Sequence, residues 1–327
     1  MLEIYPYDAG RGDCLRIRFC DEKGAYRNIL VDSGTRRFGR SYVSIFQDIQ
    51  RAGESVDIQL ITHTDEDHLG GLLYMVNHEI PIQDGVVVMN CPQNLPAPSS
   101  GDTPLSVPQA NQIISRLGTQ KTNMRSGLRG DTLDWDGVHI QILYPTRGQV
   151  EAVFNTVSPN TPLGIRDDRI LSLEQLMEQP LSYRDTSLSN RASIVFVLEY
   201  ARRRLLFTGD SWSADILESV CTYAKVRGKE LPIHFDAVKL PHHGSAGNIS
   251  EEWPKVFHAQ KYILCADGRS HPSKHTIAKL LNWYGDVEIV SPRDWWNSGY
   301  FSDKDIAQFI ESKRLQLTLK KGVPMSW

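Results

Sequence analysis

The chain has 327 residues, 40% of them hydrophobic, so it is long enough to form one large domain or two, with a sizeable core. A formal charge of −3 and an isoelectric point near 6.4 exclude a global basic field for nucleic acid, so such binding would need a local patch. No apolar run of roughly 18 residues predicts a transmembrane helix, and the first residues lack the features of a signal peptide. Five scattered cysteines without a CxxC pair indicate reduced thiols. We therefore expect a cytoplasmic protein. No internal repeat is visible, and we interpret the chain as a single domain spanning residues 1–327.

The start of the chain predicts three strands and a helix. Residues 2–8 and 15–19 alternate apolar and polar positions, and the two glycines between them predict a hairpin turn. Residues 28–34 predict a third strand that carries Asp32 near its end. Apolar positions at helical spacing predict a helix over residues 41–53.

The stretch 58–72 carries the strongest chemical signal. An apolar-rich strand runs straight into four potential metal ligands, His63, Asp65, Asp67 and His68. Imidazole and carboxylate groups suit zinc, manganese or iron. The Gly70-Gly71 pair predicts a tight turn out of the strand, with the helix beginning after it. In such a loop residues 63 and 65 could face one metal while residues 67 and 68 face a second.

The middle of the chain is less regular. Residues 85–89 and 138–144 predict strands, and residues 109–117 predict a short helix. Residues 146–187 follow no clear period. An insertion of this length is either a lid or substrate wall, or a surface loop without defined structure.

The second half again places polar side chains after strands. Residues 193–200 and 204–208 predict a hairpin, and residues 235–240 and 261–265 predict two further strands. The side chains that follow these strands suit metal binding or proton transfer: Asp210, His242, His243 and His271.

These motifs together resemble the metallo-β-lactamase superfamily. The run from His63 to His68 is similar to the H-x-H-x-D-H signature, with Asp65 in place of the second histidine. That replacement is typical of the ComEC-like branch, the soluble domain of the ComEC competence proteins and its free-standing relatives. The segment around Asp13 resembles the D-V-G-Q-G-D-A opening of this branch, and later segments resemble its L-L-T-G-D and H-H-G-S motifs. The resemblance implies an αββα sandwich of two mixed β-sheets flanked by helices.

The resemblance also implies a dinuclear site. It assigns two divalent ions, Zn²⁺ or Mn²⁺, to six ligands, His63, Asp65, Asp67, His68, Asp210 and His271. Asp210 would bridge the ions, Asp67 would orient the attacking water, and His242 or His243 would steady the oxyanion or protonate the leaving group. Asp13, Asp32 and Asn190 would support the site from behind the ligands. Asn190 stands where other members have a further histidine.

The function that this site implies is hydrolysis by a metal-activated water. Membership of the ComEC-like branch implies a phosphodiesterase, and in particular a nuclease acting on DNA. Free-standing members occur in bacterial antiphage systems, which suggests a defence role with partner proteins from the same operon. Two alternatives stay open: a hydrolase of a small phosphoester, lactone or amide, and a metal-stapled sensor or scaffold.

Two sets of side chains could recognise a nucleic acid. If they converge on the site, the loop arginines would favour a polyanionic substrate: Arg11, Arg36, Arg37, Arg40, Arg125, Arg129 and Arg147. Three aromatic residues close together in the chain could stack on bases or simply pack on one another: Trp295, Trp296 and Tyr300.

Overall fold

A computed structural model describes residues 1–82, 85–90, 106–119, 123–135, 137–155, 168–297 and 299–327. The strands in these ranges are β1 Leu2–Pro6, β2 Leu15–Cys20, β3 Tyr26–Val31, β4 Ile58–Ile61, β5 Val86–Met89, β6 Asn123–Arg125, β7 Thr132–Trp135, β8 Val138–Tyr144, β9 Val195–Tyr200, β10 Arg203–Phe207, β11 Ile233–His234, β12 Ala237–Lys239, β13 Phe257–His258, β14 Lys261–Ile263, β15 Val287–Ser291, β16 Leu315–Leu319 and β17 Met325–Ser326. The helices are α1 Gly39–Arg51, α2 Glu66–Asn77, α3 Ser106–Thr119, α4 Arg147–Asn155, α5 Leu173–Glu178, α6 Leu188–Arg191, α7 Ser213–Val226, α8 Trp253–Val256, α9 Lys274–Tyr284 and α10 Asp303–Asp305. Among the helices so described, none is long and apolar enough to cross a membrane.

The strands form two mixed sheets and one small pair. The first sheet has the order β17-β1-β2-β3-β4-β5-β6, and its strands run parallel from β3 to β6. The second has the order β16-β15-β14-β12-β10-β9-β8-β7, and its strands run parallel from β10 to β16. β11 and β13 pair separately. Because parallel strands end at the same edge, the loops after β3, β4, β10, β12 and β14 can meet there.

The core has three layers of apolar contact. Between the sheets, Ile29 and Leu60 of the first sheet share one buried cluster with Phe196 and Phe207 of the second. The outer face of the first sheet packs against α1, α2 and α3, and that of the second against α5, α7 and α9. The chain therefore has the αββα sandwich that the sequence predicts, with two mixed sheets flanked by helices.

The predicted turn at Gly70-Gly71 is wrong, because both glycines lie inside α2, which begins at Glu66. Their missing side chains allow α2 to approach the loop that follows β3. A Cβ on Gly70 would lie 2.2 Å from the Arg36 nitrogen, and one on Gly71 would lie 2.3 Å from the Ser33 oxygen. The glycines therefore serve helix packing rather than a change of chain direction. Two of the predicted ligands, Asp67 and His68, lie on this helix.

The irregular segment 146–187 is partly built into the core. Leu173 and Leu176 of α5 are buried against the second sheet and α9. Asp168 accepts hydrogen bonds from Ser273 Oγ and from the His275 nitrogen, the latter at 2.9 Å. Residues 156–167, on which the lid prediction also falls, lie outside the described residues.

The three aromatic residues near the end of the chain pack on one another. Trp295 and Tyr300 are almost fully buried, with ring centroids 4.7 Å apart, and Trp296 packs edge-on against Trp295. Packing, rather than base stacking, accounts for the buried pair.

Replacing Gly70 by Ala should lower the free energy of unfolding by at least about 2 kcal/mol, because the backbone that the new methyl group meets cannot move aside. Gly118 in α3 is the matched control, since a Cβ there meets nothing within 4 Å. Gly118→Ala should leave the value unchanged or raise it by up to about 1 kcal/mol. Urea denaturation of both variants measures the difference, and equal effects would show that α2 tolerates a wider spacing.

Asp305 forms a buried junction between the irregular segment and α9. Its carboxylate lies 2.7 Å from Lys274 Nζ, and it also accepts from the Leu173 nitrogen at 2.7 Å. Asp305→Asn should lower the unfolding free energy by about 3–5 kcal/mol at pH 7, because it leaves the Lys274 charge buried without its partner. Glu174→Gln, which breaks an exposed pair with Lys304, is the control and should change little.

The Asp305 effect should also depend on pH. Burial raises the pKa of this carboxyl, but the hydrogen bond from Lys274 and its other donors outweigh burial and hold the pKa below its usual value. The stabilisation is therefore present at neutral pH and is lost as the pH falls through the lowered pKa. Urea titrations should show that the difference in unfolding free energy between the wild-type protein and Asp305→Asn narrows below about pH 4. A difference that stays constant well below about pH 4 would contradict the ion pair.

Candidate metal centre

The site lies where loops from both sheets meet. Thr62 and His63 follow β4, and the first turn of α2 brings His68 back beside them. The hairpin of β9 and β10 ends at Asp210, and His243 follows β12. The loop between β1 and β2 crosses to the same place, since the Asp13 nitrogen donates to the Asp67 oxygen at 3.2 Å.

Two buried groups of side chains share His68. Ligand atoms of His63, His68 and Asp210 lie within 4.8 Å of one another, and so do those of Asp13, His68 and His243. His68 Nε2 is 3.3 Å from Asp210 Oδ2, and His243 Nε2 is 3.5 Å from the same oxygen. Asp210 therefore lies between the groups, in a position that suits the bridging role that the resemblance implies.

The residues of these groups fit divalent cations. The Nε2 atoms of His63, His68 and His243 are buried and have no hydrogen-bond partner, although buried polar atoms are normally bonded. All three nitrogens face carboxylates. Imidazole nitrogen combined with carboxylate oxygen is a donor set typical of zinc and manganese sites. These residues could hold one or two such ions.

Asp32 fixes the orientation of His68 from behind. The Nδ1 atom of His68 donates to Asp32 Oδ2 at 2.9 Å, and Thr62 donates to the same carboxylate from its nitrogen at 2.7 Å. Burial lowers the pKa of His68, but the charges of Asp210 and Asp32 outweigh it and raise that pKa well above its ordinary value. A hydrogen bond of this kind keeps Nε2 directed at the shared centre.

Asp65 and Asp67 lie at the open side of the site. Asp65 Oδ2 is 3.6 Å from His63 Nε2, and its other oxygen accepts from Ser189 Oγ at 2.5 Å. Asp67 Oδ2 is 3.7 Å from His243 Nε2. Neither residue belongs to the two close groups of the described chain. Both carboxylates can reach a cation from the solvent side, and their ligand roles stay predictions.

Lys239 is a member of the site that the sequence analysis did not single out. Its side chain is 2% exposed, forms an ion pair with Asp13, and places Nζ 3.8 Å from Asp210 Oδ1. Burial lowers the pKa of this ammonium, but Asp13 and Asp210 outweigh it and hold the pKa above its usual value. Burial raises the pKa of Asp13 in turn, but Lys239, His243 and His68 together outweigh burial and hold that pKa below its usual value. The sequence feature that could have indicated Lys239 is the presence of a lysine at the end of an otherwise apolar strand.

The two adjacent histidines point in different directions. His243 turns inward, where its Nδ1 lies 3.1 Å from Asp13 Oδ1 and 3.0 Å from the Cys265 oxygen. His242 turns toward Asp185, whose Oδ2 lies 3.2 Å from its Nδ1. Their φ angles of 46° and 52° are both in the left-handed region, which non-glycine residues adopt rarely. This turn of the backbone separates the two rings.

His242 belongs to a polar group that only the structure reveals. Its Nδ1 lies 3.1 Å from Asn248 Oδ1, and Asp185 accepts from Asn190 Nδ2 at 2.8 Å. Burial lowers the pKa of His242, but the hydrogen bond with Asp185 and the charges of Asp210 and Asp185 together outweigh burial and raise the pKa to about 9. Asp185 lies in the irregular segment, where no pattern marked it. Asn190 thus supports His242 through Asp185.

His271 lies at the edge of the site. Its ring centroid is 5.0 Å from that of His242 and 6.3 Å from that of His243. Burial, together with the charges of His242 and His243, lowers its pKa to about 3. Its buried Nδ1 has no hydrogen-bond partner. The ring is therefore a neutral imidazole, which is the form that binds metals. It belongs to neither close group of the described chain, and its role as the final ligand stays a prediction.

No protein-family model and no curated protein sequence matches the chain. Solved structures are similar at low identity. The metallo-β-lactamase fold protein YhfI from Bacillus subtilis is 8% identical over 89% of this chain and 95% of that one, with a TM-score of 0.44. Zn²⁺-bound PqqB from Methylobacterium extorquens is 10% identical over 99% of this chain and 100% of that one, with a TM-score of 0.46. CmlA, a diiron β-hydroxylase from Streptomyces venezuelae, is 14% identical with a TM-score of 0.43, and the match covers 100% of this chain and 54% of that one. Similarity at this level says nothing about the reaction of this chain.

Replacing Asp32 by Asn should weaken metal binding by about 10–100-fold, because it removes the carboxylate that orients His68 while leaving both close groups intact. Asp21→Asn is the control. That carboxylate is also buried, but it lies in the turn between β2 and β3, at the far end of these strands from the site. Competition with a chromogenic chelator measures the affinity for Zn²⁺ and Mn²⁺. Equal affinity in the Asp32 variant and the control would rule out an orienting role.

Proposed function

We propose that the protein is a metal-dependent hydrolase of phosphodiester bonds, with DNA as its substrate and Zn²⁺ or Mn²⁺ as its ions. The observation that carries the proposal is the pair of buried His/Asp groups that share His68 and meet at Asp210. A purely structural metal site is closed by its ligands, whereas a catalytic one keeps a position open. Here Asp65 and Asp67 remain partly exposed, with 34% and 24% of their side chains accessible.

The ions would be held by His63, His68, Asp210 and His243. Asp13 accepts from His243 Nδ1 at 3.1 Å and would orient that imidazole from behind. Bound there, divalent ions would supply a nucleophile from water near neutral pH and offset the negative charge that develops on the phosphoryl oxygens.

The protein's own side chains would do the remaining work. Asp67, partly open to solvent and 3.7 Å from His243 Nε2, would orient the attacking water and accept its proton. His242, held by Asp185, would donate a hydrogen bond to the leaving oxygen. Lys239 would offset the charge of Asp13 and Asp210, which limits the repulsion between these buried carboxylates.

Cationic groups beside the centre favour a phosphoester over a neutral ester. Arg11 Nε lies 4.0 Å from Asp67 Oδ2, and the raised pKa of His242 favours its protonated form at neutral pH. A phosphodiester carries a negative charge in its ground state, which a lactone or amide does not. This difference, together with the ComEC-like motifs, supports the phosphodiester proposal.

The test uses metal-stripped protein, bis(p-nitrophenyl) phosphate, and single- and double-stranded DNA, with Mn²⁺, Zn²⁺ or Mg²⁺ added in turn. Hydrolysis should require an added ion. Asp210→Asn should reduce it to the rate of the metal-stripped protein, because this residue lies between both groups. Asp21→Asn should keep the full rate. No phosphodiester hydrolysis with any ion, in protein that nevertheless binds metal, would contradict the proposal.

A further inference from the structure

A cavity of about 550 Å³ opens beside the metal centre, and the reaction outlined above does not use it. Its walls come from the loop after β1, the turn after β3, the start of α2, and the ends of β14 and β15. Sites for small ligands occupy roughly 300–1,000 Å³, so the cavity has room for one nucleotide but none for a duplex.

The cavity shares its walls with the proposed metal centre. Arg11 lines it and places Nε 4.0 Å from Asp67 Oδ2, and Glu66, which also lines it, is the chain neighbour of Asp67. On the other side, Asp267 belongs to the loop that leads to His271, and the Gly268 nitrogen donates to the His271 oxygen at 3.0 Å. A molecule in the cavity would therefore extend from the reacting phosphate.

Positive charge exceeds negative charge on these walls. Four arginines line the cavity, against three carboxylates. Three of the arginines are paired across it or within its loops: Arg11 with Glu66 at 3.0 Å, Arg293 with Asp8 at 2.9 Å, and Arg269 with Asp267 at 3.8 Å. Arg37 has no ion pair within the described chain, so its guanidinium is the excess charge.

The cavity wall also carries an aromatic side chain. Phe38 lines the same cavity, next to Arg37 in the chain, and its side chain is partly exposed. A cationic groove combined with an aromatic face is how proteins bind single-stranded nucleic acid without reading its sequence, because every phosphate is charged and every base can stack.

Most of the arginines that the sequence suggested do not take part. Of those seven, only Arg11 and Arg37 line the cavity. Arg125 donates to the Thr132 oxygen, and Arg129 pairs with Glu218 at 2.9 Å. The basic patch is thus small and confined to one side of the metal centre.

We infer that this cavity is a subsite for one nucleotide of a single-stranded substrate, with Arg37 binding the phosphate next to the scissile one and Phe38 facing its base. The inference rests on the proposed phosphodiesterase function and deepens it. Duplex DNA cannot enter the subsite unless it frays or is already unwound.

The test measures binding without turnover. The protein of 327 residues is titrated against a fluorescein-labelled single-stranded phosphorothioate oligonucleotide, which resists hydrolysis, and against the duplex of the same sequence, at several salt concentrations. Arg37→Gln is compared with Arg202→Gln. Arg202 is exposed in the turn between β9 and β10, at the opposite end of that hairpin from Asp210. Its replacement by Gln removes the same charge as Arg37→Gln. Thermal unfolding confirms that both variants fold.

Arg37→Gln should weaken single-strand binding about tenfold and lower the slope of log affinity against log salt by about 0.7, the value for one lost phosphate contact on a single strand. Arg202→Gln should change neither quantity, and the wild-type protein should bind the single strand more tightly than the duplex. The inference is overturned if the two variants behave alike, if the duplex binds as well as the single strand, or if the wild-type protein binds no oligonucleotide.

Hydrolysis of bis(p-nitrophenyl) phosphate by the wild-type protein separates this inference from the proposed function. That compound has only the scissile phosphate, so its turnover needs the metal centre and no flanking nucleotide. If the compound is not hydrolysed with any ion, the proposed phosphodiesterase function is wrong. The binding data would still decide whether the cavity takes a nucleotide.

Discussion

The need to neutralise buried carboxylates governs the centre of this molecule. Asp13, Asp32 and Asp210 are all within 3% of full burial, and isolated charges there would cost several kcal/mol each. The protein surrounds them with one ammonium, that of Lys239, and with imidazoles. These groups do not satisfy one another completely, because the Nε2 atoms of His63, His68 and His243 still lack hydrogen-bond partners. Divalent cations would complete it, which is why the electrostatics and the proposed chemistry lead to the same residues.

The fold supports this arrangement because both sheets end their parallel strands at one edge. β4 and β9 belong to different sheets, yet the Ile194 nitrogen, just before β9, donates to the Thr62 oxygen, just after β4, at 2.8 Å and joins the two segments directly. Gly12 makes a comparable junction. A Cβ there would lie 2.0 Å from the Asp67 oxygen, so only glycine lets the β1–β2 loop reach α2. The site is therefore assembled by contacts between backbones as well as by its side chains.

Much of the architecture could be predicted from the sequence. The apolar runs before His63 and Asp210 are unmistakable strands, and polar residues at the ends of such strands gather at one edge. The start of α2 could not be predicted, because the need for glycine at positions 70 and 71 comes from a neighbouring loop far away in the chain.

The partners of the site residues were also hidden. Lys239 looks like the end of a buried strand, and its role depends on Asp13, which is 226 positions earlier in the sequence. Asp185 lies in a segment without periodicity and gains its meaning only from His242 and Asn190. The inward direction of His243 follows from a rare backbone conformation that residue type does not reveal. Contacts of this range have no local signature.

The consecutive left-handed histidines have a thermodynamic consequence. A non-glycine residue in this region stores about 1–3 kcal/mol of strain, and the turn keeps its shape only while other groups hold the two rings. Anything that binds the inward ring stabilises the strained turn, and by linkage the turn, once formed, improves the affinity for that ligand by the same free energy. Formation of the turn that follows β12 and binding of a ligand to His243 are therefore one coupled equilibrium.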